Sequence, residues 1–247
     1  MNNQTKDRVD ELERRRRSRD RRYKQKKKKK KRAFLYIFLR FVIWTGLLAC
    51  ILWGLISHFG RNYVDIRSVT MPDYVQQDYL EINPYSRPGT KMKRINGIVI
   101  HYVANPGTTA KQNRDYFASL KDQTGEKKIS ASSHFIIGLD GEIIQEIPIY
   151  EVAYATSKEK NKDTVSIECC HPDETGKFND QTYASLVKFT ALLCKELGLT
   201  EKDVIRHYDA TGKDCPRYFV AHEDAWKQFL QDVKTERKGI KEKLPPL

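Results

Sequence analysis

The sequence predicts an α/β domain with a single mixed central β-sheet flanked by helices, preceded by a transmembrane helix. Two observations lead to this prediction. Short β-branched runs alternate along the chain with segments of helical periodicity, which is typical of a sheet covered by helices. Ahead of them, an apolar run long enough to cross a bilayer follows a strongly basic segment. With 247 residues, of which 39% are hydrophobic, the chain can bury a core of its own.

The positive charge is concentrated at the amino end. Residues 1–32 contain 17 Lys and Arg against 5 Asp and Glu, whereas the remainder contains 28 against 27. Because like charges this dense repel one another and bury nothing, we expect residues 1–32 to be a disordered cytoplasmic tail. The nearly neutral remainder argues against a nucleic-acid partner. The charge of the tail suits contact with anionic lipid instead.

Residues 33–60 are predicted to span a membrane once. Phe41 to Gly60 is a run of 20 residues without Lys, Arg, Asp or Glu, about 30 Å as a helix. Arg40 lies early enough to reach the basic side. The basic tail should stay cytoplasmic, which puts the later residues outside the cell membrane. A cleaved signal peptide and a lipoprotein box ending at Cys50 remain alternatives, and both also export the remainder.

Residues 61–93 resemble a stalk that merges into the domain, because they carry Pro and Gly and little periodicity. The domain is expected at 94–236, and 237–247 should be a loose tail. The strands of the domain are predicted from apolar, β-branched runs, and a hairpin is predicted from the turn signal Asp140-Gly141. The strands are expected at Ile95–Val103, Thr164–Cys170 and Asp203–His207, with the hairpin within Ser132–Pro148.

Helices are predicted where apolar residues recur at helical spacing. The first runs from a cap at Thr108 or Thr109 to about Leu120. The others cover Asn179–Leu197 and Glu223–Val233.

Three side chains from distant parts of the chain form a candidate metal site. His101 and His207 each end a predicted strand, and Cys215 follows His207 by eight positions. Two imidazoles and a thiolate are good Zn²⁺ ligands, and three protein ligands leave a fourth position open, as in catalytic sites. The alternative is that these residues are simply packed and hydrogen-bonded.

Glu168 is the candidate catalytic carboxylate, because an acid on an otherwise apolar strand is costly unless it is paired or functional. A hydrogen-bonded structural Glu is the alternative. Lys213, two residues before Cys215, either stabilises an oxyanion or only lines the loop. His171 and His222 are expected at the surface. His134 should be a core or cleft-wall residue, and Cys169, Cys170 and Cys194 are core residues or disulfide partners.

Four motifs carry a family resemblance, and they span roughly Ile95 to Trp226. They read IVIHYVAN, SSHFIIGLDGEIIQ, DTVSIECC and RHYDATGKDCP. Together they resemble the type-2 N-acetylmuramoyl-L-alanine amidases, the zinc enzymes related to phage lysozyme-like amidases and peptidoglycan recognition proteins. The resemblance implies that His101, His207 and Cys215 hold Zn²⁺, that Glu168 is the catalytic acid position, and that Lys213 matches the lysine before the Cys ligand in the phage type.

The sequence departs from the family pattern at two places. Ser133 replaces the catalytic Tyr of the phage type, so proton transfer should fall to Glu168. Residues 153–155, Ala-Tyr-Ala, stand where many members have a Trp-His pair.

The resemblance implies that zinc-bound water hydrolyses the bond between N-acetylmuramic acid and L-alanine in peptidoglycan, with Glu168 as general base and acid. Two other functions remain open. One is a non-catalytic peptidoglycan-binding module, and the other is a hydrolase with Cys215 as nucleophile and His207 as base. Neither stem-peptide preference nor oligomeric state follows from the sequence.

Overall fold

The computed structural model describes residues 3–59 and 64–240, which belong to two separate units divided near residue 62. The junction between the predicted span and stalk, at residues 60–63, lies outside the described residues. So do residues 1, 2 and 241–247, which include most of the predicted C-terminal tail. Each unit is described by itself below.

The first unit is helix α1, Asn3–Phe59. The basic segment, predicted to be disordered, is therefore helical from Asn3 onwards; Lys and Arg are good helix formers, and the helix continues into the apolar run. Within α1, Lys24–Gly54 is long and apolar enough to cross a membrane by length and composition. The Arg40 guanidinium lies 5.2 Å from the centre of the Tyr36 ring, one turn towards the basic end.

The second unit is built on a six-stranded mixed sheet with the order β1-β4-β3-β5-β2-β6. Only the β3–β4 pair is antiparallel, and it forms the predicted hairpin with Gly141 at a φ of 81°. The strands are β1 Val75–Gln77, β2 Gly97–Tyr102, β3 Phe135–Ile137, β4 Ile143–Gln145, β5 Thr164–Cys169 and β6 Val204–Arg206. Because β1 pairs with β4 in parallel, the predicted stalk contributes an edge strand, and the domain begins well before residue 94.

The helices follow their capping signals. Thr109 caps α2 with a reciprocal capping box to Gln112, and Asn179 caps α3 by accepting from the backbone N–H of Thr182. Helix α6 runs to Gly239, so residues 237–239 are helical and not part of a loose tail. The helices are α2 Ala110–Ser119, α3 Asp180–Glu196, α4 His207–Thr211, α5 Arg217–Ala221 and α6 Glu223–Gly239.

The two faces of the sheet pack differently. On one face, an apolar cluster joins Ile100 of β2 and Ile167 of β5 to Phe189 of α3 and Phe229 of α6. On the other face, helix α2 contributes Phe117 to a smaller cluster that covers only part of the sheet. This second face also carries the polar side chains of His101, Ser166 and Glu168, and the candidate site lies among them.

Candidate active site

The site lies where parallel strands end at one edge of the sheet. In parallel sheets, the carboxyl ends of neighbouring strands meet at the same edge, where ligands commonly bind. His101 is paired in register with Glu168 across β2 and β5, so both side chains point to the same face. His207 directly follows β6 as the first residue of α4, and not as the strand end that the sequence predicts.

The structure brings the three predicted metal ligands together. The Nδ1 atoms of His101 and His207 are 3.1 Å apart, and Cys215 Sγ lies 3.8 Å from His101 Nδ1. All three residues are buried, and their possible ligand atoms lie within 4.8 Å of one another. No other group of this kind occurs among the residues whose side chains the structure describes. Two distant segments of the chain, one with His101 and one with His207 and Cys215, thus bring three potential ligand atoms into a small volume.

Burial sets the protonation of the cluster. It holds the pKa of His101 well below the ordinary value, with contributions from His207 and Lys213. It lowers the pKa of His207 to about 4 and raises that of the Cys215 thiol to about 12. Both imidazoles are therefore neutral near pH 7 and offer lone pairs, while the thiol needs a nearby cation before it ionises.

The donor set fits a divalent zinc ion. Two atoms bound about 2.0–2.3 Å from one ion at the tetrahedral angle lie about 3.3–3.6 Å apart. The observed separations of 3.1 Å and 3.8 Å from His101 Nδ1 fall close to these values. Two nitrogens and one sulfur also match the softness of Zn²⁺ better than that of Mg²⁺ or Ca²⁺.

A buried arginine holds the segment that carries two of these side chains. The guanidinium of Arg206 bonds Asp209, Glu223 and the carbonyl of Phe219, and it lies 5.3 Å from the centre of the Trp226 ring. The backbone N–H of Tyr208 donates to the carbonyl of Cys215 at 2.9 Å. These bonds fix α4 against α5 and α6, which is how His207 and Cys215 come to face one another.

Glu168 lies beside the cluster. Its Oε1 atom is 3.9 Å from His101 Nδ1, and its Oε2 atom is buried without a hydrogen-bond partner among the described residues. The side chain is 15% exposed, so solvent reaches part of it. Burial raises the pKa of Glu168 to about 8, and the positive charge of Lys213 opposes that rise. A carboxyl group in this state is suited to exchanging a proton with a neighbouring reactant.

Lys213 is exposed at the rim of the same site. Its charge acts on the pKa values of His101, His207 and Glu168, which places the ammonium group within electrostatic range of all three. The structure thus brings together every residue that the sequence analysis assigned to the site.

Among His134, His171 and His222, only His171 departs from its predicted position. His134 is a core residue: its Nδ1 accepts from the backbone N–H of Ser166, and Nε2 contacts the carbonyl of Glu151 at 2.9 Å. His222 is exposed as predicted, but His171 is buried, because its ring packs on Tyr102 at 5.1 Å. All five cysteines are free, so the possible disulfide is absent from the structure.

Sequence reasoning missed a second buried acid on the site-bearing face. Glu146 is fully buried, and its Oε1 atom accepts from the backbone N–H of Ser133 at 2.8 Å. Burial raises the pKa of Glu146 to about 8, and the negative charge of Glu168 adds to the rise. Ser133, which stands at the position of the phage-type Tyr, therefore hydrogen-bonds this acid through its backbone N–H and its hydroxyl. The signal was present, since Glu146 sits in the apolar run EIIQEIP.

A groove of about 410 Å³ lies beside the ring of His101, on the side of its Nε2 atom. Thr156 lines it, and the Oγ1 atom of Thr156 lies 3.5 Å from His101 Nε2. Its lining combines apolar surface with polar side chains, which include Tyr154, Asn161 and the ammonium-bearing Lys158 and Lys162. An extended, hydrogen-bonding ligand is suited to such a surface.

Comparison with known proteins agrees with this geometry. The family model of N-acetylmuramoyl-L-alanine amidase matches residues 91–218, more than half of the chain. The chain belongs to this family. The matched region contains all the amidase site residues described above, from His101 to Cys215.

Curated relatives are similar over the same region. The N-acetylmuramoyl-L-alanine amidase CwlL of Bacillus licheniformis is 32% identical over 170 residues, covering 64% of this chain and 46% of the relative. The amidase BlyA of Bacillus subtilis strain 168 is 29% identical over 181 residues, covering 65% and 47%. The chain therefore spans about half the length of the curated relatives it matches.

Solved amidase structures share the fold. A mutant endolysin from Bacillus subtilis superposes with a TM-score of 0.54 at 25% identity, over 63% of this chain and 97% of the endolysin. The catalytic domain of XlyA gives a TM-score of 0.52 at 25% identity, over 63% and 98%. The predicted class, a mixed sheet flanked by helices, is confirmed.

Proposed function

We propose that this chain is a zinc-dependent N-acetylmuramoyl-L-alanine amidase that cleaves the bond between N-acetylmuramic acid and L-alanine in peptidoglycan. The observation that carries the proposal is the cluster of His101, His207 and Cys215 with Glu168 beside it. Family membership and the names of the curated relatives support the choice of substrate.

The two imidazoles and the thiolate would hold Zn²⁺. When bound, the ion supplies Lewis acidity and an activated water molecule. Glu168 takes the proton of the attacking water and delivers it to the nitrogen of the leaving L-alanine. A carboxyl group whose pKa lies near neutrality can serve in both directions, and burial together with Lys213 gives Glu168 that property.

Lys213 is proposed to stabilise the negative charge that develops on the amide oxygen. Its ammonium group acts electrostatically on the same residues that face the reaction. Because the ammonium is exposed, water screens its charge, and its contribution to the rate should be smaller than that of Glu168.

The proposed site for the peptide part of the substrate is the groove lined by Thr156, which contacts His101. Its Tyr, Asn and Lys side chains can hydrogen-bond peptide groups and carboxylates. The Trp-His pair of other members is absent here, and Tyr154 supplies the aromatic surface instead.

The amino-terminal segment is proposed to anchor the enzyme. Residues 33–60 would cross a bacterial cell membrane once, with the basic segment in the cytoplasm against anionic lipid and the catalytic domain outside. Peptidoglycan lies on that outer side. We propose no nucleic-acid partner, because the charge excess is confined to residues 1–32.

The deciding experiment is mass spectrometry of peptidoglycan incubated with the purified full-length chain, with and without a chelator. We expect free stem peptides beginning with L-alanine, intact glycan strands, and about one zinc per chain. The chelator should abolish the reaction and added zinc should restore it.

Other outcomes identify the alternatives. Zinc binding without hydrolysis would indicate a peptidoglycan-binding module. Activity that resists the chelator but is lost on thiol alkylation would indicate Cys215 as nucleophile. For the topology, a reporter fused after Leu247 should be active only outside the membrane.

A further inference from the structure

The second ring nitrogen of His101 faces away from the metal cluster. Nδ1 is the atom that approaches His207 at 3.1 Å and Cys215 at 3.8 Å. Nε2 lies on the opposite side of the ring and meets Thr156 Oγ1 at 3.5 Å. His101 is 1% exposed, so water does not reach this nitrogen freely.

This arrangement matters because a neutral imidazole carries one proton on either of its nitrogens. If Nδ1 is to give its lone pair to a metal, the proton must sit on Nε2, and a buried N–H needs an acceptor. Among residues 64–240, Thr156 Oγ1 is the one hydrogen-bonding atom within reach of Nε2.

Thr156 is itself held in place by Asn161. The Oδ1 atom of Asn161 accepts from the backbone N–H of Thr156 at 2.8 Å and from that of Ala155 at 3.3 Å. The backbone N–H of Asn161 donates to the carbonyl of Ser157 at 2.8 Å, which closes the turn. The Thr156 hydroxyl therefore lies on a turn that is held by hydrogen bonds to its backbone.

We propose that Thr156 is a positioning residue that holds His101 in the tautomer with the proton on Nε2, which leaves Nδ1 free to bind the metal, and that Asn161 fixes Thr156 for this task. The inference rests on the metal site of the proposed function. It assigns Thr156 no contact with the reacting atoms; its effect reaches the metal through the ring of His101.

The test compares Thr156→Val with Thr156→Ser in the full-length chain. Valine keeps the shape of threonine but accepts no hydrogen bond, whereas serine keeps the hydroxyl. Zinc affinity is measured by competition with a chromophoric chelator. We expect Thr156→Val to weaken zinc binding about 10-fold or more and Thr156→Ser to bind like the wild type. Thr124→Val, at an exposed loop position, is the matched control and should leave zinc affinity unchanged.

A second measurement reads the tautomer directly in the metal-free protein. The ¹⁵N chemical shifts of the His101 ring should show the proton on Nε2 in the wild type and in Thr156→Ser, and a mixture of the two tautomers in Thr156→Val. Asn161→Ala should show a weaker form of the same effect, and Asn161→Asp, which keeps the acceptor oxygen, should restore it.

The outcomes separate this inference from the proposed function. A wild-type chain that binds no zinc would overturn both. A wild-type chain that binds zinc and cleaves peptidoglycan, together with a folded Thr156→Val variant that binds zinc equally well, would overturn the positioning role alone. Weak binding in both Thr156→Val and Thr156→Ser would also overturn it, because the hydroxyl would then not be the cause.

Discussion

On one face of the sheet, Ile100 and Ile167 sit in an apolar cluster with α3 and α6, while one residue further along each strand His101 and Glu168 reach the opposite face and the site. Both faces are buried, but burial has a different consequence on each. On the apolar face it stabilises the fold by removing hydrocarbon from water. On the site face it shifts pKa values, lowering that of His101 and raising that of Glu168. The alternation of side chains along a strand therefore lets one segment stabilise the fold on one face of the sheet and present reactive groups on the other.

The largest expected effect is on activity, from the site face. Glu168→Gln should lower the rate of peptide release about 10²–10⁴-fold, because the amide cannot carry the proton. Zinc content should stay near the wild-type value, and the melting temperature should not fall, because the variant also removes a buried acid whose pKa is raised. Peptide release is measured by mass spectrometry, with the exposed Glu126→Gln as control. A fully active Glu168→Gln variant would rule out the role as base.

On the apolar face, the corresponding change should act on stability. Phe189 is fully buried with its ring 4.7 Å from that of Phe135. Phe189→Ala should lower the free energy of unfolding by about 3–5 kcal/mol, measured by urea denaturation, since it leaves a cavity. The zinc affinity of the folded protein should not change. Phe189→Leu, which fills most of the space, should cost less; an equal loss would argue against the cavity as the cause.

A substitution of Glu146 tests whether a buried acid with a raised pKa on the site face lowers the free energy of unfolding near neutral pH. Its pKa is raised to about 8 when folded, so the folded state binds a proton that the unfolded state has released above pH 4.5. The contribution of this group to the free energy of unfolding is fully present below pH 4.5 and is lost as the pH rises towards 8. Glu146→Gln removes that loss while keeping an acceptor for Ser133.

The variant should therefore gain about 3 kcal/mol relative to the wild type between pH 4.5 and pH 7. Urea unfolding across this range measures the gain. Glu126→Gln, which is exposed, should follow the wild-type curve. Parallel curves for Glu146→Gln and the wild type would show that Glu146 is ionised in the folded protein.

The smallest effect concerns a purely structural bond on the site face. Ser166→Ala removes the hydroxyl that lies 3.0 Å from His134 Nδ1, but the backbone N–H of Ser166 still donates to that nitrogen. The free energy of unfolding should fall by about 1 kcal/mol, with activity kept. Ser119→Ala, on the exposed side of α2, should change it by no more than about 0.5 kcal/mol. A large loss of activity in Ser166→Ala would instead make His134 part of the catalytic machinery.

Much of the fold followed from local pattern. The sequence predicts strands β2 and β5, the hairpin at Gly141, a helix cap at Thr108 or Thr109 and a helix that begins near Asn179, and the structure has each of them. Strand β1 was missed because Val75–Gln77 has one apolar residue and owes its conformation to pairing with β4. His171 was placed wrongly because its burial depends on the ring of Tyr102 from another strand.

The sequence by itself identified the candidate site residues and the segments that hold them, because residue type, spacing and hydrophobic period are local properties. Only the tertiary structure decided that His101, His207 and Cys215 meet within 4.8 Å and that Nδ1 is the nitrogen facing the cluster. It alone placed Thr156 behind that ring and buried Glu146 beside Ser133. Distance, burial and tautomer depend on which distant segments pack together, and no run of neighbouring residues encodes that.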